Sequence, residues 1–236
     1  MRPAANDVSF RLFGIPTSIQ PFFWILAAVI TAISLGPIGN MQVWLAQMFL
    51  GMAGILLSVL VHEFGHAFSF RYLFRTPSAI MLHGLGGATF PLQHFARSYG
   101  LRGMAASCFL SFSGPAAGFV LAFLMGAFLQ VLPVNHASLA LDLLYFFFAW
   151  TAIISIFWGI LNLLPIYPMD GGHISRECFL YCFPRRGIEF SLTLSMLVAI
   201  LCAVMAFRCG FLGITLFLLY FAYQNYQEMS FGLPRY

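Results

Sequence analysis

Long apolar runs separated by short polar connections dominate this chain. A helix needs about 20 apolar residues to cross a bilayer, and six runs read as such spans: 19–36, 41–71, 103–132, 139–164, 188–207 and 211–226. Only Arg208, Cys209 and Gly210 separate the last two, which predicts a helical hairpin with a tight turn. Two connections are longer. Residues 76–100 contain HGLGGATF, whose glycines followed by Thr89 and Phe90 predict a short β-hairpin or re-entrant loop after the second span. Residues 167–187 contain PMDGG, read as a turn that ends the fourth helix. The fold class expected is all-α and polytopic, with about six transmembrane helices.

Composition agrees with that pattern. Hydrophobic residues make up 61% of the 236 and charged residues 8%, with a mean hydropathy of +0.90. About a quarter charged is usual for a water-facing surface. The eleven basic residues are all arginine and scattered, so there is no basic stripe and no nucleic-acid partner is expected. With the amino terminus inside, the cytoplasmic segments hold Arg2, Arg11, Arg71, Arg75, Arg97, Arg102, Arg176, Arg185, Arg186 and Arg235, and the outer segments hold Arg208 alone. That is the bias of the positive-inside rule, and it predicts a multi-pass protein of the cell membrane with both termini cytoplasmic. The amino-terminal segment lacks the three-part build of a signal peptide, so the first span is expected to act as an uncleaved signal. Five cysteines without a Cys-x-x-Cys pair predict no disulfide framework.

The costliest residues in an apolar run are His62, Glu63 and His66, in LVHEFGHAF. Four apart on a helix, the two histidines share a face and can offer imidazole nitrogens to one metal ion. Glu63, turned about 100° around the axis, is placed to act on a water at that ion rather than to bind it. Zinc accepts neutral imidazole and carboxylate, and its catalytic sites have three protein ligands and an open position. Bound water there loses a proton near neutral pH and can attack a peptide carbonyl. The missing ligand needs a carboxylate near the cytoplasmic ends of the second and fourth spans. Asp170 is the best placed, since Asp142 is at the opposite end of the fourth span and Asp7 is in the amino-terminal tail. Glu177 and Glu189 fall in or near the cytoplasmic connection, more exposed to water.

Taken together, HEFGH and NLLPIYPMDGG resemble the two motifs of the site-2 protease family of intramembrane metalloproteases. The second matches at Asn162, Pro165, Pro168, Asp170 and Gly171. Gly86 with Gly87, and SGPAAG at 113–118, are also similar to the family. The resemblance implies one Zn2+ per chain on His62, His66 and Asp170, with Glu63 as the base that activates water. It implies that Asn162 helps hold the substrate or the developing oxyanion, although a helix-to-helix hydrogen bond accounts for this residue equally well. Gly86 and Gly87 would belong to a strand edge or loop that holds an unwound substrate segment. Gly114 and Pro115 are more economically read as packing residues.

The implied activity is hydrolysis of a peptide bond in single-pass membrane proteins, within the bilayer near its cytoplasmic face. The whole of 1–236 would be one catalytic domain, with its core at about 41–175. Many members carry a basic residue after Asp-Gly-Gly, where this chain has His173, for which a loop or supporting role is expected. Many also append a PDZ or CBS domain, for which this sequence has no room, so gating is expected from loops, helices or a regulatory membrane partner. Two alternatives remain: a pseudoprotease that binds membrane clients without cutting them, and a divalent-metal transporter using the same ligands. A serine protease reading is weaker, because His83, His94 and His136 fall in connections away from SFSGP.

Overall fold

The computed structural model of the chain describes residues 6–93, 100–132 and 138–232. Arg2, Arg97, Arg235, His94 and His136 lie outside the described residues. The chain divides into two compact units, one of Met1–Phe95 with Ser113–Gly159, the other of Ala96–Phe112 with Ile160–Tyr236.

The first unit opens with β1 (Val8–Leu12) and β2 (Ile15–Ile19), an antiparallel hairpin absent from the expectations above. Its two-residue turn places Phe13 at φ 52° and Gly14 at φ 80°, the left-handed pair that matches strand twist. Helix α1 (Pro21–Leu35) follows, and then α2 (Met41–Leu73), whose first N–H groups are capped by the Asn40 side chain. At 33 residues α2 is about 50 Å long, well beyond the ~30 Å of a hydrocarbon core. Strands β3 (Ser78–His83) and β4 (Gly86–Pro91) form the hairpin expected after the second span. β2 and β3 pair in parallel, giving a four-stranded sheet ordered β1-β2-β3-β4 with β4 at one edge. Ile15, Ile19, Ile80 and Leu82 turn one face of the sheet into a core with Phe23, Ala27, Ile55, Val59 and Phe64.

Helix α3 (Gly100–Val131) contains Pro115, and α4 (Leu139–Asn162) completes this unit as far as Gly159. Small and hydroxylic residues tie α2 to α4. Ser155 donates to Ser58 at 2.9 Å, and the Trp150 indole N–H donates to the Gly51 carbonyl at 3.1 Å. Close backbone approach with polar bonds is how helices associate where lipid removes the hydrophobic drive.

The second unit holds a helix where a turn was expected. α5 runs Asp170–Cys182, so Gly171 and Gly172 sit inside its first turn. A Cβ on Gly171 would fall 2.2 Å from the Leu163 carbonyl oxygen, and one on Gly172 2.3 Å from the Tyr167 nitrogen. These glycines therefore let the preceding loop fold back on the helix start, rather than supply turn conformations. Helices α6 (Gly187–Arg208) and α7 (Leu212–Gln227) are joined by the tight turn expected at Cys209 and Gly210. Gly210 at φ 80° closes it, with the Phe211 N–H donating to the Ala206 carbonyl as in a Schellman cap. One π-helical turn, Glu228–Gly232, follows.

Among the described residues, four helices, α2, α3, α4 and α6, are long and apolar enough to cross a membrane, so two of the six expected spans are not confirmed. The first and last apolar runs give helices of 15 and 16 residues, short of the ~20 that a crossing needs. In the first run Ile19 belongs to β2 and Gln20 is the cap of α1, and in the last the regular helix gives way to the π-turn. Cys108, Cys178, Cys182, Cys202 and Cys209 are free thiols in the structure.

Candidate metal centre

His62, Glu63 and His66 lie on α2, all less than a tenth exposed. The Nε2 atoms of the two histidines stand 3.2 Å apart, with the rings edge to face at 78°. Two nitrogens bound tetrahedrally to one zinc at 2.0–2.1 Å are about 3.4 Å apart. The observed spacing is therefore close to that of a shared metal edge, and it arises from helical i, i+4 geometry alone.

The space in front of these nitrogens is kept by Gly114 of α3. A Cβ there would lie 2.2 Å from His66 Nε2 and 2.8 Å from His62 Nε2, roughly where an ion bound to both would sit. The donor chemistry and the room that Gly114 leaves fit a zinc ion. Gly114 thus has a role in the site that was assigned to packing, and nothing local in SGPAAG signals it.

Glu63 faces the sheet. Its Oε2 accepts from the Thr89 hydroxyl at 2.7 Å, and the same hydroxyl lies 3.1 Å from the Glu63 carbonyl oxygen. A Cβ on Gly87 would fall 2.5 Å from Glu63 Oε1, so β4 can approach α2 this closely only with glycine there. Gly87 and Thr89, two apart on a strand, share the face that meets the carboxylate. Thr89 was missed as a supporting residue, although that alternation was available to find it. Gly86 plays a different part: at φ 129° it lies against the Trp158 ring, whose nearest atom would be 2.5 Å from an added Cβ. His83 is opposite Gly86 in the hairpin, and its Nδ1 accepts from the Leu85 N–H at 3.2 Å. Burial pushes the His83 imidazole below its usual range, with the Glu63 charge partly opposing.

Asn162 and Asp170 belong to the second unit. Asn162 is the last residue of α4, and Asp170 is the first of α5, where the helix N-terminus favours a carboxylate. His173 packs its ring edge to face on Tyr167, centroids 4.9 Å apart, consistent with a loop-supporting role.

Residues 131–205, which include Asn162 and Asp170, match the model of peptidase family M50. Over 167 residues the chain is 26% identical to a zinc metalloprotease of Methanocaldococcus jannaschii, covering 71% of this chain and 43% of that protein. It is 28% identical over 170 residues to the protein Rip3 of Mycobacterium tuberculosis, covering 70% of this chain and 39% of that one. The chain thus spans less than half the length of these relatives. Among solved structures, the site-2 protease from Methanocaldococcus jannaschii has the same fold, with a TM-score of 0.61 over 98% of both chains at 19% identity.

Proposed function

We propose that this chain is a member of the site-2 protease family and hydrolyses a peptide bond of membrane-spanning proteins with one zinc ion held by His62, His66 and Asp170. The observation that carries the reading is the pair of buried imidazole nitrogens 3.2 Å apart beside a buried carboxylate, with a glycine-lined gap before them. Asp170 is taken as the third ligand from the match of its motif, and two imidazoles with one carboxylate are a donor set that zinc accepts. When bound, zinc supplies Lewis acidity, making water a nucleophile near neutral pH and polarising the scissile carbonyl.

The remaining work falls to the chain's own groups. Glu63 takes the proton from the attacking water and returns it to the leaving nitrogen. The Thr89 hydroxyl fixes which way that carboxylate points. β4 is an edge strand, so its outer N–H and C=O groups can pair with an extended substrate segment. Gly86 and Gly87 begin this edge, and their lack of side chains lets it lie close to Trp158 and Glu63, so that a substrate segment paired along it would pass beside the base. Asn162, at the end of α4, serves substrate or oxyanion binding. Substrates are single-pass membrane proteins, cut near the cytoplasmic face. Residues 1–236 act as one catalytic domain, with both termini on the cytoplasmic side of the cell membrane and a membrane partner available to gate access. The support for orientation is the arginine bias when all six apolar runs are taken as crossing, which puts ten of eleven on one side.

The test is cleavage of a panel of single-span reporters by the chain in lipid vesicles, before and after zinc is stripped by a chelator and restored. Cleavage that is lost on stripping and regained with zinc is expected. Tight zinc binding with every reporter intact would favour the pseudoprotease, and zinc uptake into the vesicles would favour the transporter.

A further inference from the structure

We infer that Ser195 and Asn225, on the two last helices, are positioning residues for Asp170, acting through a clamp on the backbone of Tyr167. The inference rests on the reading of Asp170 as a metal ligand. Tyr167 stands three residues ahead of Asp170, and its backbone N–H, its carbonyl and its ring are each held. Its N–H donates to Ser195 Oγ of α6 at 3.0 Å, and its carbonyl accepts from Asn225 Nδ2 of α7 at 2.6 Å. Its ring lies beneath the Arg176 guanidinium, 3.7 Å from the centroid, and Arg176 is itself bridged to Glu228 beyond α7 at 2.9 Å.

The clamp is buried. Ser195 and Asn225 are at most 1% exposed. Asn225 Nδ2 also donates to the Phe221 carbonyl at 2.7 Å, whereas its Oδ1 has no hydrogen-bond partner. A buried acceptor left unpaired is costly, and an apolar side chain of the same shape would avoid the cost. What the asparagine provides in return is donation to Tyr167.

That bond bears on Asp170 because the Tyr167 backbone lies against the first turn of α5. Gly172 leaves no room between them, and the Met169 N–H donates to the Ile166 carbonyl at 2.8 Å to close the loop. Ile166, fully buried, and Met169 pack onto α6 and α7. Release of Tyr167 therefore lets the start of α5, and the Asp170 carboxylate with it, shift. Groups that hold a ligand in place typically matter 10- to 100-fold to metal affinity.

The experiment uses the full chain in detergent, with zinc affinity from chelator competition and the visible spectrum of the cobalt(II)-loaded protein. Asn225→Leu, which keeps the volume, and the milder Ser195→Ala are each expected to weaken zinc about tenfold and to alter the cobalt bands. The thermal midpoint of the metal-free protein is expected to change little by comparison. Asp170→Ala is the control for the premise. If it weakens zinc while both clamp variants keep wild-type affinity and spectrum, the clamp is only structural and the inference fails. If Asp170→Ala leaves zinc affinity unchanged, the ligand reading fails, and this inference with it. Should Asn225→Leu not fold, Ser195→Ala decides alone.

Discussion

Replacing Gly114 by alanine tests the metal centre with one added methyl group. Its carbon would stand 2.2 Å from His66 Nε2 and 2.5 Å from His66 Cε1, where ordinary contact begins at 3.4 Å. The His66 ring must therefore move by about 1 Å or more, whereas metal–ligand distances tolerate about ±0.2 Å. His62 Nε2, 2.8 Å from the same carbon, is displaced as well. Disturbing both imidazoles is expected to cost zinc affinity at least ~100-fold, or about 2.7 kcal/mol. In the metal-free fold the helix propensity of alanine, worth up to about 1 kcal/mol over glycine, is offset by roughly 1–3 kcal/mol of overpacking against the rings, so a modest net loss is expected there. Zinc affinity by chelator competition and the thermal midpoint of the metal-free protein separate the two. Zinc binding weakened at least ~100-fold, with a metal-free midpoint lowered by only a few degrees, is the expected pair. Wild-type zinc affinity in Gly114→Ala would refute the placement of the ion between the two rings.

Two further expectations concern the surroundings of Glu63. Thr89→Val removes the hydroxyl that orients the carboxylate, so kcat is expected to fall about tenfold with KM and zinc content little changed, and Thr89→Ser is expected to restore most of it. An unaffected kcat in Thr89→Val would show that the bond does not position the base. His83 tests pH dependence. Its pKa is held below 6.5 in the fold by burial, so above pH 6.5 its contribution to stability is fully present. As pH falls below 6.5 the unfolded chain takes up a proton that the folded chain resists, and that stability is lost down through the lowered pKa. His83→Gln is expected to flatten the thermal midpoint across this interval; an unchanged pH profile would contradict the assignment.

How far each feature was legible depends on how local its cause is. The histidine pair follows from four residues of spacing on a helix, and the β3–β4 hairpin from glycines beside β-forming residues. The β1–β2 hairpin was not legible, because Phe13 occupies a left-handed position that asparagine or glycine would normally mark. α5 was hidden because Asp170, Gly171 and Gly172 read as a turn, whereas the glycines answer to backbone from residues 163 and 167. Gly114 owes its place in the site to histidines 48 and 52 residues away in the chain, a relation that no local pattern carries. The apolar runs located the helices well but not their ends, since hydropathy alone does not show that Ile19 is in a strand or that α7 has 16 residues before the π-turn.

The central claim is that Glu63 is the base of a zinc-dependent hydrolysis, and it is tested most directly by measuring zinc content and reporter cleavage side by side for the wild type and Glu63→Gln. The glutamine keeps the size of the side chain and can still accept from Thr89, so the helix and the histidine pair are expected to remain in place. Equal zinc in both proteins, with cleavage by the wild type alone, is the predicted result. Cleavage that survives Glu63→Gln with zinc still bound would contradict it.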